Sequence, residues 1–151
     1  MVLAVAPHTH WVDVMVGFAA RNAMKIPHAK FLGKKELFVG PLGWLLRAMG
    51  GVPVDRFSKQ GTVDQVVELF NSNENFMLGL APEGTRKRVN TLRTGFYHIA
   101  KKAGVPIVPI GFDYENKQVL IGEAFFPGSD EVADLEKIIA FYTGIKGKRP
   151  E

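Results

Sequence analysis

His8 and Asp13 form a His-x4-Asp pair, with His10 and Trp11 between them. If His8 ends a strand and Asp13 opens a helix, the carboxylate can accept from one imidazole nitrogen while the other acts as a base. That is the base-and-orienter half of a Ser-His-Asp arrangement, and the attacking hydroxyl can then belong to a substrate. A plain helix cap beside a surface histidine competes with this reading, and the pair alone does not decide between them. His10 adds a second rival, because His-x-His near an Asp is also a zinc-ligand pattern. The remaining histidines, His28 and His98, lie in no ligand motif.

Two further segments carry fixed positive charge. Asp55-Arg56 follows the apolar run Val52–Val54, and Glu83-Gly84-Thr85-Arg86 follows Phe76–Leu80. An arginine fork matches a phosphate better than a lysine does. Gly84 lets backbone approach a ligand, and neighbouring N–H groups can form an anion nest. Solvated arginines in turns are the simpler account of either residue alone. The run Arg86-Lys87-Arg88 also fits a nucleic-acid patch, but no nucleic-acid motif or basic-aromatic interleaving accompanies it. Nucleic acid is therefore not an expected partner.

The elements that must position these residues alternate in type. Val2–Ala6, Ala29–Leu32, Val52–Val54, Phe76–Leu80 and Val105–Phe112 read as strands, with Gln118–Ile121 as a hairpin partner of the last. Trp11–Met24, Leu42–Met49, Thr62–Asn71, Gly95–Ala103 and Asp130–Tyr142 carry apolar residues at helical spacing. Pro53 points to an edge or irregular strand. The alternation predicts an α/β single-domain sandwich, a largely parallel central sheet flanked by helices, over residues 1–151. The Gly- and Lys-rich tail, residues 144–151, is expected to fray. Sites in such sheets form beyond the carboxyl ends of the strands. The clusters at His8, Arg56 and Arg86 should therefore converge on one edge.

Composition narrows the chemistry. The chain has 151 residues, 46% hydrophobic and 23% charged, enough for one domain with a real core. It has no cysteine, which excludes disulfides, thiolate metal sites and a Cys nucleophile. The formal charge of +4 favours anionic partners such as phosphates, CoA, acidic carrier proteins and anionic lipid. No apolar run approaches the roughly 18 residues that span a bilayer. The sequence opens directly on its first core strand.

With these residues assembled, the chain resembles the lysophospholipid and glycerol-phosphate acyltransferase family, whose best-known members are 1-acylglycerol-3-phosphate acyltransferases. Four blocks match in order: His8–Asp13, Gly51-Val52-Pro53-Val54-Asp55-Arg56, Pro82-Glu83-Gly84-Thr85-Arg86, and Val105-Pro106-Ile107-Val108-Pro109-Ile110. Pro-Glu-Gly-Thr-Arg is the most distinctive. The resemblance implies a glycerol-phosphate acyltransferase-like fold, with His8 as general base and Asp13 as its orienter. It implies that Arg56 and Arg86 bind the acceptor phosphate in a pocket that Glu83, Gly84 and Thr85 help to form. It implies transfer of a fatty acyl group from acyl-CoA or acyl carrier protein to lysophosphatidic acid or a related glycerol-phosphate acceptor, with no cofactor. No metal is expected, because His8 and His10 alternate along an expected extended segment and should point to opposite sides. Many members carry hydrophobic helices ahead of the first block.

A cytoplasmic protein peripherally attached to a membrane is the expectation. Lys25, Lys30, Lys34 and Lys35 precede Phe38, with Phe31, Leu37, Leu42, Trp44 and Leu45 nearby. If exposed, the apolar residues can dip into an anionic interface beside the lysines. Phe18, Trp44, Leu45 and Met49 are candidates for an acyl groove, with ordinary core packing as the competing account. The alternative functions are a zinc-dependent hydrolase using His8, His10 and Asp13, and a non-catalytic phospholipid-binding module.

Overall fold

Short apolar blocks separated by amphipathic helical stretches have no way to bury themselves singly, and they assemble into one sheet covered on both faces. A computed structural model of the chain describes residues 1–6, 12–55, 58–81 and 94–147. The strands are β1 (Val2–Ala6), β2 (Ala29–Lys34), β3 (Gly51–Val54), β4 (Met77–Leu80), β5 (Ile107–Asp113) and β6 (Gln118–Ile121). They lie in the order β3-β2-β4-β1-β5-β6. All neighbours pair in parallel except β5 and β6, which form an antiparallel hairpin. The α/β expectation holds, and Pro53 does sit on an edge strand, β3.

The helices are α1 (Val12–Ala23), α2 (Gly40–Ala48), α3 (Thr62–Ser72), α4 (Gly95–Ala103) and α5 (Glu131–Tyr142). A 3-10 turn, Lys35–Leu37, leads from β2 into α2. Alternation along the strands divides the core in two. Val2, Ala4, Leu78 and Ile107 face Val66 and Phe70 of α3, Phe96, Tyr97 and Ile99 of α4, and Ile138 of α5. Leu3, Val108, Ile110 and Phe112 face the other way, toward Val16 of α1 and Met24. Every residue of β5 is buried, as a strand covered on both faces requires.

Local chemistry sets the boundaries. Gly104 closes α4 in the left-handed region at φ 68°, where a side chain would be strained. Asp130 caps α5 by accepting from Ala133 N–H at 3.1 Å. Gly51 opens β3 with no room for a side chain, since a Cβ there would lie 2.8 Å from the Leu46 carbonyl oxygen.

The register decides where the strands end. Lys34 lies opposite Val54, Phe31 opposite Gly79, Leu3 opposite Gly79 and Ala6 opposite Gly111. Ala6, Lys34 and Val54 therefore end at one level, with Leu80 two residues short of it. The chain leaves β1, β3 and β4 from the same edge of the sheet.

Candidate active site

That edge is where the sequence places its chemistry. β1 leads into residues 7–11 and then α1, whose first turn holds Asp13. β3 leads through Asp55 toward Arg56, and β4 leads through Ala81 toward residues 82–93. Adjacent strands are about 4.8 Å apart. β4 lies directly beside β1, whereas β3 is three strand spacings from β1, about 14 Å. His8, His10, Arg56, Glu83, Gly84, Thr85 and Arg86 lie outside the described residues. Of the expected site residues, Asp13 is described.

Asp13 is 2% exposed at the start of α1. A carboxylate in a first helical turn complements the exposed N–H groups and the helix dipole. Its Oδ1 accepts from the hydroxyl of Tyr114, the residue that follows β5. A hydrogen bond to a charged group contributes about 1.5–3 kcal/mol, which helps offset burial of the carboxylate. Burial, and then the bond to Asp13, push the Tyr114 phenol above its ordinary pKa, so it stays a donor. Tyr114 carries no signal in the sequence, because 101 residues separate it from Asp13.

The approach to Arg56 is also built from distant residues. Gln65 of α3 accepts from the Asp55 backbone N–H at 3.2 Å and donates to the Asp55 carbonyl at 2.8 Å. Its amide thus mimics a strand neighbour and fixes the chain one residue before Arg56. Lys35 meets the Asp55 carboxylate at 3.5 Å. Between these groups lies a shallow cavity of about 400 Å³, lined by Lys35, Phe38, Val39, Arg47, Pro53, Asp55 and Gln65. Two cations and one carboxylate line it, so its balance favours an anion. A larger cavity of about 560 Å³ lies at the opposite sheet edge, around Met1, His28 and Phe76. No residue of the four sequence blocks lines it, so its size does not make it the site.

The apolar candidates divide. Phe38 is buried at 5% exposure, with its ring against Gly33 and Gly51, so it cannot dip into an interface. Phe31 is half-buried against Phe18, which itself stacks under the Arg21 guanidinium. Val39, Leu42, Trp44 and Leu45 are exposed, Trp44 at 72%. For Trp44 and Leu45, core packing is thus excluded, and no described groove encloses them. No described helix is long and apolar enough to cross a membrane.

Known proteins share the sequence pattern and the fold of this chain. A family model described as Acyltransferase matches residues 1–113. The chloroplastic 1-acyl-sn-glycerol-3-phosphate acyltransferase BAT2 of Brassica napus is 38% identical over 88 residues, which cover 54% of this chain and 25% of that protein. The 1-acyl-sn-glycerol-3-phosphate acyltransferase of Escherichia coli K12 is 34% identical over 116 residues, covering 70% of this chain and 44% of its own length. The chain spans less than half the length of these relatives. Among solved structures, the 1-acyl-sn-glycerophosphate (LPA) acyltransferase PlsC from Thermotoga maritima matches with a TM-score of 0.64 at 21% identity. That match covers 95% of this chain and 64% of PlsC. At that identity the likeness establishes the fold.

Proposed function

Because the chain belongs to the Acyltransferase family, we propose that it is an O-acyltransferase that esterifies a hydroxyl of lysophosphatidic acid with a fatty acyl group from a thioester carrier. The single observation that carries this reading is Asp13. It is a buried carboxylate at the start of a helix, on the sheet edge from which the His8, Arg56 and Arg86 segments all depart.

In the proposed reaction His8 removes the proton of the acceptor hydroxyl as its oxygen attacks the thioester carbonyl. The C–O bond forms, the C–S bond breaks, and the proton passes from the imidazolium to the departing thiolate. Asp13 holds the imidazole in the tautomer that leaves a basic nitrogen toward the acceptor. An imidazole with a pKa near 6.5 suits this role at neutral pH, and such assistance contributes roughly 10²–10⁴-fold. Arg56 and Arg86, with Glu83, Gly84 and Thr85, hold the acceptor phosphate. The donor is an anionic carrier, acyl-CoA or acyl carrier protein, which the chain's positive charge attracts.

A peripheral attachment to anionic membrane accompanies this reading. Val39, Leu42, Trp44 and Leu45 are exposed around α2, with Lys34 and Lys35 exposed just before it. Apolar side chains flanked by lysines suit an interfacial element, where each lysine contributes about 1 kcal/mol at an anionic surface.

A panel of acceptors and donors, read by lipid mass spectrometry, tests the function. Phosphatidic acid formed from lysophosphatidic acid, with release of free thiol, supports it. Absence of product with every lysolipid and thioester tried contradicts it.

A further inference from the structure

The bond from Tyr114 to Asp13 belongs to no motif. The family match ends at Asp113, one residue before Tyr114. Yet the hydroxyl is donated to the carboxylate on which the acyl-transfer reading depends. The rotation of an Asp carboxylate about χ2 is a soft torsion with a broad distribution. A donor of fixed position is what makes one oxygen face one way.

Tyr114 has such a fixed position. Its backbone N–H donates to the Lys146 carbonyl at 2.9 Å, which ties it to the chain beyond α5. Lys146 Nζ in turn meets the Glu115 carboxylate at 2.9 Å. The turn that follows is held by Asp113, whose carboxylate accepts from Asn116 N–H at 3.3 Å and from Asn116 Nδ2 at 2.7 Å. Helix α1, which carries Asp13, lies against the same strand. A Cβ on Gly17 would sit 3.9 Å from the Phe112 ring. The strand end, the hairpin turn and the chain after α5 thus present one hydroxyl to one carboxylate.

We propose that Tyr114 is a positioning residue for acyl transfer: by holding Oδ1 of Asp13 it fixes the carboxylate so that Oδ2 orients the catalytic base. This rests on the reading of Asp13 as the orienter of His8. The elevated phenol pKa keeps the donor protonated throughout the working pH range. Tyr114 touches neither substrate in this scheme. Its loss slows turnover without weakening binding of either substrate.

The test is steady-state kinetics of Tyr114→Phe with lysophosphatidic acid and acyl-CoA, following thiol release below the melting temperature. Tyr114 is only partly buried, so the phenylalanine ring keeps its packing. The expected result is a kcat about 10- to 100-fold lower with both KM values within twofold, the scale of one charge-assisted hydrogen bond. Tyr97→Phe is the control, because Tyr97 also donates to a buried carboxylate, Asp134, at 2.8 Å, and packs in the core cluster on the other side of the sheet from Tyr114. It should lower the melting temperature and leave kcat unchanged. In an Asp13→Asn background, with residual turnover measured at high enzyme concentration, Tyr114→Phe should cost less than twofold, because its path to the base is already broken. A wild-type kcat in Tyr114→Phe overturns the proposal, as does a rise in KM at constant kcat or an undiminished effect in the Asp13→Asn background. His8→Ala separates this from the parent reading. If His8→Ala is inactive and Tyr114→Phe is normal, only the positioning role fails. If His8→Ala is active, the base assignment itself fails.

Discussion

Asp13 can be removed in two ways that separate its chemical role from its structural one. Asp13→Asn keeps the shape and keeps an oxygen to accept from the Tyr114 hydroxyl, so the fold should lose little. It removes the charge that selects the imidazole tautomer. The equivalent change in a Ser-His-Asp site costs about 10⁴ in turnover, and general-base assistance as a whole is worth roughly 10²–10⁴. Turnover of Asp13→Asn should therefore fall about 10³-fold or more. Asp13→Ala should be equally inactive, and also unstable. It strips the Tyr114 hydroxyl of its acceptor, costing about 1–3 kcal/mol, and removes first-turn helix charge worth about 0.3–1 kcal/mol. For a chain of this length that lowers Tm by roughly 3–15 °C. Thiol release and thermal melting by circular dichroism measure the two effects. If Asp13→Asn turns over within about tenfold of wild type, the carboxylate is a helix cap and nothing more. If Asp13→Ala melts like wild type, the bond to Tyr114 contributes no stability and the argument from burial fails.

Arg56→Ala and Arg86→Ala should raise the acceptor KM about 10- to 150-fold, the loss of one charge-assisted phosphate contact, with the donor KM little changed. Lysine at either position should rescue in part, since it lacks the bidentate fork, and a rise confined to full-length acyl-CoA would assign these residues to the donor instead. Trp44→Ser with Leu42→Ser should weaken sedimentation with anionic phosphatidylglycerol vesicles while leaving Tm unchanged, because both side chains are exposed; unchanged binding would remove α2 as the docking element. Asp134 accepts from Gly128 N–H and from the Tyr97 hydroxyl, both at 2.8 Å, and the Gly128 bond foremost holds its pKa below the ordinary 3.8. A carboxyl lowered on folding contributes fully above its unfolded pKa and loses that contribution as pH falls through its folded value. Asp134→Asn should thus lower Tm at pH 7 and flatten the loss of stability below about pH 4, as melts across pH would reveal. Strong chelators should leave turnover intact, because the sequence expects an extended segment at His8 and His10, on which alternating side chains should point to opposite sides; stoichiometric zinc in active protein, with activity lost on chelation, would restore the hydrolase alternative.

The fold was legible where apolar periodicity is strong. Strand and helix types emerged correctly because β5 is apolar from Ile107 through Phe112 and α3 is sharply amphipathic. The shared strand edge followed from alternation alone, since a parallel sheet forces every loop after a strand to one side. Boundaries were less legible. The helix expected over Thr62–Asn71 forms, yet Gly61 occupies its N-cap position and no side chain caps it, so no polar cap residue marks its start. Phe38 reads as a partner of Trp44 and Leu45, yet one is buried and the others exposed. Phe38 precedes α2 and turns its ring onto Gly33 and Gly51 of the sheet, whereas Trp44 and Leu45 lie on the uncovered side of the helix, and only packing decides which is covered. Asp13 could be picked out because it shares a short motif with His8. Tyr114 and Gln65 could not, since each reaches its partner through tertiary contact and neither sits at a spacing that sequence alone makes meaningful.

The most direct measurement is the turnover of His8→Ala with lysophosphatidic acid and acyl-CoA, taken beside its thermal melt. General-base transfer predicts a folded protein with wild-type Tm and a kcat lower by roughly 10²–10⁴-fold. A folded His8→Ala protein that forms phosphatidic acid at a near-normal rate would contradict it.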